Sequence, residues 1–273
     1  MIGFYAFGGG FGHLTRVKRF SEKWLPDASI LVFTNNKIAF DMFDRDQVIY
    51  FDPALPFTKA MLKPWFQLKL KEYKITDFYI DTFPAGMLGE LDMSVVVNCN
   101  VYLLCRRLKW EVYQPLISTP LHYKSSYIFE ELEPDHERWL KEYSHELDDV
   151  KTLLEFSIHK YLYNSELCHS MWVVCHTSVL SEVEVLIDYA RDMASLEKSH
   201  PKIVVLTDQP LQRDDVEVIQ QADTLEWFSR AERIFTAAGF NTWYELASWR
   251  DKHTAIPFPR KFDDQFWRSK LTS

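Results

Sequence analysis

The sequence predicts an α/β protein made of two Rossmann-like, doubly wound lobes that face a central cleft. Apolar, strand-like segments alternate with helical segments along the first half of the chain, and the same alternation returns in the second half. A glycine-containing turn also joins a predicted strand to a predicted helix near each end of the chain. Because ligands of such sheets collect at the carboxyl ends of the strands, we expect both turns to contribute to a binding site.

The first lobe is predicted to span residues 1–155. Ile2–Phe7 is an apolar strand, Gly8–Gly12 is a flexible loop, and a helix runs from His13 to about Trp24. Short segments rich in β-branched or aromatic residues predict four more strands, with helices between them. The predicted strands are 29–34, 47–51, 77–81 and 93–98, and the predicted helices are 36–43 and 64–74.

The second lobe is predicted to span residues 156–273. Residues 131–165 are charged and contain no clear strand, so we expect one or two helices and the passage between the lobes there. The βαβ alternation then resumes. The predicted strands are 171–175, 202–206 and 216–219, and the predicted helix is 179–194.

The second glycine-containing turn lies between Phe235 and Leu246, where a buried strand is followed by the turn and then by a helix. Gly239 lets the backbone approach a ligand closely, and Asn241 and Thr242 bring polar side chains to the helix start. The unpaired N–H groups and dipole of a helix start attract phosphate. Glu245 lies one turn further, where its carboxylate either binds two ribose hydroxyls or faces solvent. The segment predicts a nucleotide site.

Composition narrows the functional classes. The chain is 47% hydrophobic, with 20 Phe, 13 Tyr and 9 Trp, which is ample for packed cores. A formal charge of −8 argues against general nucleic-acid binding, because phosphate backbones need a basic surface. No apolar run reaches the roughly 18 residues of a membrane-spanning helix, and no signal-peptide pattern follows Met1. We therefore expect a cytoplasmic protein.

Three motifs carry a resemblance to a known family. They are the glycine loop ending in Gly12-His13, the Asp81–Leu91 segment with Asp-Thr-Phe-Pro-Ala-Gly, and the Phe235–Leu246 turn followed by Asp264-Gln265. In this order the chain resembles the two-domain GT-B nucleotide-sugar glycosyltransferases, particularly the group that contains the peptidoglycan N-acetylglucosaminyltransferase. The resemblance implies a sugar transferred from a nucleotide sugar, with UDP as the nucleotide by analogy.

By this resemblance His13 is the candidate catalytic base, or otherwise a donor to the leaving diphosphate; the plain alternative is a histidine that only hydrogen-bonds the loop. Asp81 orients acceptor hydroxyls or serves as another base, or it simply caps the following turn. The resemblance also implies a set of substrate-binding residues. They are Gly10, Gly12, Thr15, Arg16, Glu90, His176, Thr177, Ser178, Gly239, Asn241, Thr242, Glu245, Arg260, Asp264 and Gln265.

The chain departs from the family at the first turn of the second lobe. His176 and Thr177 stand where members usually have glycines, so the side chains would have to supply the phosphate contacts. An ordinary helix N-cap at Thr177 or Ser178 explains the same residues. Arg260 either neutralises phosphate or covers the surface.

No metal and no cofactor other than the nucleotide-sugar co-substrate are expected. The Asp44-Arg45-Asp46 sequence has the form of a metal motif, but it lies at a predicted turn. The leaving group would instead meet helix dipoles, backbone amides and Arg260. The function is therefore a metal-independent glycosyltransferase acting on an unknown hydroxyl. Two alternatives stay open, namely a hydrolase similar to the nucleotide-sugar hydrolase of pseudaminic acid synthesis and a non-catalytic sugar-nucleotide-binding protein.

Residues 59–74 combine five lysines with aromatic and aliphatic residues in an otherwise acidic chain. Such a segment could make weak contact with an anionic membrane at its inner face and approach a lipid-linked acceptor. The other interpretation is an amphipathic helix that lies on its own sheet.

Overall fold

The computed structural model describes residues 1–52, 54–150, 170–177, 179–220 and 224–271. The chain divides into two compact units. The first unit comprises Met1–Leu153 with Lys261–Asp263, and the second comprises Leu154–Arg260 with Asp264–Ser273. The predicted boundary between residues 155 and 156 lies outside the described residues and stays a prediction.

The first unit is built on a seven-stranded parallel sheet with the order β3-β2-β1-β4-β5-β6-β7. The chain proceeds outward from β1 through β2 to β3, then returns to pair β4 with the other side of β1. The strand order therefore reverses between β1 and β4. The strands are β1 Ile2–Tyr5, β2 Ile30–Thr34, β3 Val48–Tyr50, β4 Asp77–Asp81, β5 Asn100–Cys105, β6 Tyr123–Ile128 and β7 Ser144–Asp149.

Helices connect these strands. They are α1 Gly12–Trp24, α2 Ala39–Met42, α3 Lys59–Glu72, α4 Trp110–Tyr113 and α5 Pro134–Tyr143, with 3-10 turns at Arg45–Gln47 and Gln114–Leu116. The longest, α3, begins at a Thr58 cap whose side chain accepts a hydrogen bond from the Met61 N–H. Its residues Leu62, Phe66 and Leu70 recur every four positions and are buried on one face.

Aromatic side chains dominate the core of the first unit. The Phe66 ring is fully buried, and its centroid lies 5.2 Å from that of Phe7 and 5.3 Å from that of Tyr5. Phe33 and Phe78 contact the same ring from β2 and β4. Burial of apolar surface is the dominant favourable term in folding, and aromatic rings supply much of that surface in this cluster.

Four parts of the sequence-based assignment of the first unit are wrong or incomplete. Residues 93–98 form turns rather than a strand, and the strand begins instead at Asn100. Strand β6 was not predicted. Strand β7 lies within a segment expected to lack strands. Its side chains are exposed and mostly polar or acidic, without alternation of apolar residues, and it is a strand because it pairs in parallel with β6. The helix expected over 36–43 is confirmed only as the four-residue α2.

The second unit contains a five-stranded parallel sheet with the order β10-β9-β8-β11-β12. Its strand order reverses between β8 and β11, in the same way as the first sheet. The strands are β8 Met171–Cys175, β9 Lys202–Leu206, β10 Glu217–Ile219, β11 Arg233–Ala237 and β12 His253–Ile256. The helices are α6 Leu180–Leu196, α7 Thr224–Arg230, α8 Phe240–Glu245 and α9 Gln265–Arg268, with a 3-10 segment at Ala247–Lys252.

Alternate residues of this second sheet serve two separate cores. Trp172 and Val174 pack with the buried face of α6, whereas Met171 and Val173 pack on the opposite side with Phe228 of α7. Both faces are covered, as expected for a parallel sheet. The two parallel sheets with flanking helices confirm the predicted α/β class.

Two further observations bear on residues 59–74. Trp65 packs against the sheet together with the buried face of α3, while Met61 and Leu68 are exposed on the outside of the helix. Within the described part of the chain, no helix is both long and apolar enough to cross a membrane.

We predict that Phe66→Ala lowers the free energy of unfolding of the first unit by about 3–5 kcal/mol, since it removes a fully buried ring and leaves a cavity. Leu68→Ala, two residues further on the same helix and 61% exposed, is the matched control and should change it by less than about 0.5 kcal/mol. Urea unfolding followed by near-UV circular dichroism measures both. Equal effects of the two variants would contradict the assigned orientation of α3.

Candidate functional site

The reversal of strand order in the first unit brings two predicted residues together. Strand β1 leads into the loop Gly8–Phe11 and then α1, which carries His13, while Asp81 is the last residue of the neighbouring strand β4. Ligand sites of doubly wound sheets form at such reversals, outside the carboxyl ends of the strands. Residues 68 positions apart in sequence thus become direct neighbours.

His13, Arg16 and Asp81 form a buried triad. The imidazole Nδ1 of His13 donates to Asp81 Oδ2 at 2.5 Å. Arg16 Nε donates to Asp81 Oδ1 at 2.8 Å, and its Nη2 donates to Oδ2 at 2.7 Å. The exposed fractions are 8% for His13, 1% for Arg16 and 0% for Asp81, so this is an interior ion pair rather than a surface one. His13 and Arg16 are three positions apart on α1 and therefore share one face.

The surroundings fix the charge states of the triad. Burial alone would raise the pKa of the Asp81 carboxyl, but Arg16 and His13 outweigh it and lower that pKa to about 2. Burial lowers the pKa of His13 below its ordinary 6.5; Asp81 opposes this shift, and the nearby cations Arg16 and Arg106 add to it. At neutral pH the carboxylate is thus ionised and the imidazole is neutral. Because Nδ1 carries the proton and donates a hydrogen bond to Asp81, the other ring nitrogen, Nε2, carries the lone pair.

The glycine loop fits closely around this imidazole. A Cβ atom on Gly8 would lie 2.3 Å from His13 Nε2, so that only glycine leaves room for the ring. The loop is tied to the end of β2, where the Gly8 N–H donates to Asn35 Oδ1 and Asn36 Nδ2 donates to the Gly10 carbonyl oxygen. By contrast, a Cβ on Gly9 would meet nothing within 4 Å.

Thr82 and Arg106 extend the triad, and sequence reasoning missed both. The Thr82 hydroxyl oxygen accepts from Arg16 Nη2 at 2.8 Å and from Arg106 Nε at 3.3 Å. Thr82 has a φ of 69°, a rare conformation for a β-branched residue. Arg106 in turn pairs with Asp263 at 2.5 Å, within the first unit. Only the position of these residues in the sequence could have indicated a role at the site, because Thr82 and Arg106 directly follow parallel strands. The same is true of Asn35 and Asn36.

The other predicted residues of the first unit have local partners. Thr15 Oγ1 donates to the Phe11 carbonyl oxygen, and Gly12 is the first residue of α1. Glu90 is fully buried: its oxygens accept from the Tyr5 hydroxyl at 2.7 Å and the Leu88 N–H at 2.8 Å. Burial raises the pKa of the Glu90 carboxyl. In this structure Glu90 holds the loop that follows β4.

The second unit contains a similar triad, with a glutamate in place of the aspartate. His176, which follows β8, donates from Nε2 to Glu182 Oε2 at 2.7 Å. Arg260 donates to both oxygens of the same carboxylate, at 2.6 Å and 2.5 Å. Burial lowers the pKa of His176, against the effect of Glu182. Burial tends to raise the pKa of Glu182, but Arg260 and His176 lower it overall. Glu182 was not predicted from sequence.

Gly239 follows β11, the strand that neighbours β8. Its φ of −68° suits any residue, and a Cβ there would meet nothing within 4 Å. The fold itself therefore does not require glycine at this position. Because Gly239 has no side chain, space stays open beside its backbone. Asn241, Thr242 and Glu245 are half-buried on the six-residue α8.

The remaining predicted residues of the second unit stabilise its own turns. Gln265 is buried, and its Oε1 accepts from the Phe258 N–H at 3.0 Å. Asp264 caps α9 by accepting from the Trp267 N–H. The Thr177 carbonyl oxygen accepts from Gln209 Nε2, and Ser178 lies outside the described residues. These hydrogen bonds give Gln265 and Asp264 a structural role and do not test their predicted contact with a ligand.

Among the described residues, no cluster of three or more His, Cys, Asp or Glu side chains could hold a metal ion. Asp44, the first residue of the Asp-x-Asp sequence, instead forms a capping box with Gln47 at the start of a 3-10 turn.

Comparison with known proteins supports the fold. No protein-family model and no curated protein sequence matches this chain. Solved structures do match. The UDP-N-acetylglucosamine 2-epimerase of Rickettsia bellii has a TM-score of 0.61 at 10% identity, covering 93% of this chain and 78% of its own. The Neisseria meningitidis 2-epimerase bound to UDP-GlcNAc has a TM-score of 0.60 at 10% identity, covering 96% and 84%.

A transferase from Siraitia grosvenorii in complex with UDP is also similar, with a TM-score of 0.54 at 12% identity over 98% of this chain and 82% of that one. At such low identities the likeness concerns the fold alone. It confirms the expected GT-B-like fold class, with two parallel sheets and flanking helices.

We predict that Gly8→Ala breaks the His13–Asp81 hydrogen bond, because the added methyl group must displace the ring. The measurement is the low-field imidazole N–H proton resonance in the NMR spectrum, assigned with His13→Gln. Gly9→Ala is the matched control and should keep the resonance. A resonance unchanged in Gly8→Ala would contradict the packing of the loop on His13.

Proposed function

We propose that this protein is a metal-independent glycosyltransferase that takes a sugar from a nucleoside diphosphate sugar, with UDP as the favoured nucleotide, and that His13 is its general base. The observation that carries the proposal is the buried triad at the reversal of the first sheet. It holds a neutral imidazole with Nδ1 bound to a carboxylate and Nε2 unprotonated, next to a glycine loop.

The reaction follows from this charge arrangement. An acceptor hydroxyl attacks the anomeric carbon while its proton passes to His13 Nε2. The new oxygen–carbon bond forms as the bond from the anomeric carbon to the phosphate oxygen breaks, and that electron pair leaves with the nucleoside diphosphate. The resulting imidazolium is stabilised by the ionised Asp81, whose position Arg16 fixes.

This assignment divides the two predicted catalytic residues into different roles. Both oxygens of Asp81 are engaged by Arg16 and His13, and a pKa of about 2 makes the carboxylate a weak base. We therefore assign proton transfer to His13 and positioning to Asp81. Arg16, which the sequence predicted as a substrate-binding residue, is assigned to hold Asp81, because its guanidinium is buried against that carboxylate.

The donor is proposed to bind at the strand reversal of the second unit, between the turns that follow β8 and β11. Open space beside Gly239 permits close approach of a ligand to the backbone, as proposed for the nucleotide. Glu245 would take the ribose hydroxyls. Similar structures from Neisseria meningitidis and Siraitia grosvenorii hold UDP-GlcNAc and UDP, which supports the choice of nucleotide.

Epimerisation of a UDP sugar is a second candidate, because several similar structures are UDP-N-acetylglucosamine 2-epimerases. The products distinguish the candidates. Transfer releases UDP only when a hydroxyl acceptor is present, whereas hydrolysis releases UDP and free sugar without one. An epimerase converts the UDP sugar into its isomer without an acceptor. A non-catalytic protein binds the nucleotide sugar and leaves it unchanged.

The acceptor is an unassigned hydroxyl compound. A lipid-linked acceptor and peripheral membrane contact through residues 59–74 remain predictions. Met61 and Leu68 are the exposed apolar side chains of α3 that such a contact would use.

We predict that His13→Gln lowers turnover by about 10²- to 10⁴-fold, the usual contribution of a general base, and leaves binding of the nucleotide sugar intact. The measurement is UDP release from a panel of UDP sugars with and without hydroxyl acceptors, together with calorimetric binding. His122→Gln, an exposed histidine of the same unit, is the control and should retain full turnover. Unchanged turnover in His13→Gln would show that the base is another group.

The same base predicts the pH dependence. Only neutral His13 accepts a proton, and its pKa lies below 6.5, mainly because of burial. Turnover at saturating donor concentration should therefore be constant at and above neutral pH and fall only in the acid range, below pH 6.5. A fall that begins above pH 6.5 would contradict the assigned environment of His13.

A further inference from the structure

The two units each place a histidine, a carboxylate and an arginine at the strand reversal of their own sheet. In the first unit His13 binds its carboxylate through Nδ1, and in the second unit His176 binds Glu182 through Nε2. The proposed reaction gives the first triad a role but leaves Glu182 unused. The second triad therefore needs its own explanation.

The geometry of the second triad leaves one nitrogen available. His176 is 9% exposed, and its Nε2 is occupied by Glu182. For Nδ1 the structure provides no hydrogen-bond partner among the residues it describes. Arg260 meanwhile has two of its N–H groups on the Glu182 carboxylate. A buried histidine with a free nitrogen thus lies beside an arginine, and these are the two side chains best suited to bind phosphate oxygens.

We propose that His176 and Arg260 bind the diphosphate of the donor, that His176 takes up a proton when they do, and that Glu182 competes with the phosphates for Arg260 in the unliganded protein. This inference rests on the proposed function, because it assigns the diphosphate end of the same donor site.

Charge balance explains the proton uptake. In the unliganded protein the negative charge of Glu182 is balanced by Arg260, so burial keeps His176 neutral. The groups that face the imidazole are Glu182 from α6, and Arg260 and the Phe258 ring from the segment after β12. A diphosphate adds two negative charges beside this neutral ring. Protonation of His176 then offsets them, and binding strengthens as the pH falls.

The competition by Glu182 makes a prediction of definite sign. Glu182→Gln removes a carboxylate that holds Arg260 and repels phosphate, so the variant should bind the donor about fivefold more tightly. A residue that only supports the fold would have the opposite effect. Asp188→Asn makes the same charge change on the same helix at an exposed ion pair with Arg213, and it should leave the affinity unchanged.

The experiment is isothermal titration of UDP-N-acetylglucosamine into the full chain carrying His13→Gln, so that the ligand is not consumed. This ligand suits the test because its diphosphate does not titrate near neutral pH. Titrations at pH 7 in buffers of different ionisation enthalpy measure the protons taken up. We expect uptake of a fraction of one proton, lost in His176→Gln, and a lower affinity at pH 8 than at pH 6.

The outcomes separate the two proposals. Binding without proton uptake, or weaker binding by Glu182→Gln that is folded by circular dichroism, overturns the inference and leaves the proposed function standing. The measurement of proton uptake requires no substitution in the second triad. It therefore tests the inference even if a variant of that triad fails to fold. If neither UDP-N-acetylglucosamine nor any other nucleotide sugar of the panel binds the unaltered chain, both proposals are wrong.

Discussion

One buried carboxylate organises the candidate site of the first unit. Asp81 has no exposed surface, and an unpaired charge in such a position would cost several kcal/mol. Arg16 supplies the compensating charge through two hydrogen bonds, and His13 donates a third. Because both partners lie on one face of the helix that follows β1, the pairing of β1 with β4 is what brings all three together. The loop, the helix start and the strand end are therefore constrained by a single electrostatic requirement.

The same requirement fixes the chemistry. A carboxylate that stays ionised keeps the imidazole in the tautomer with the proton on Nδ1. Burial, helped by the neighbouring cations, lowers the pKa of that imidazole and keeps it neutral at pH 7. The second unit also pairs a histidine with a carboxylate and an arginine, but there the other ring nitrogen is engaged. In the proposed reaction His13 accepts a proton from a hydroxyl, and in the proposed donor site His176 contacts phosphate oxygens. The two histidines differ in which ring nitrogen faces their carboxylate.

Sequence patterns predicted the parts of this protein that depend on local order. The strands over 171–175 and 202–206 and the helix ending at Trp24 are all visible in apolar runs. Strand β7 was missed because its acidic side chains resemble those of a loop, and only pairing with β6 makes it a strand. The bond from Arg16 to Asp81 and that from Arg260 to Glu182 span 65 and 78 residues, and no local pattern encodes such pairings. Local patterns thus suggested candidate site residues, but they could not indicate which residues those candidates contact.

The most direct test of this account is the ionisation of His13 observed by ¹⁵N NMR of the imidazole in the unaltered protein. The account predicts a neutral ring protonated on Nδ1 at pH 7, with a midpoint of titration below 6.5. A ring protonated on Nε2 at neutral pH would contradict it, because His13 would then have no lone pair on the nitrogen proposed to receive the proton. A midpoint above 6.5 would contradict the buried environment assigned to the ring.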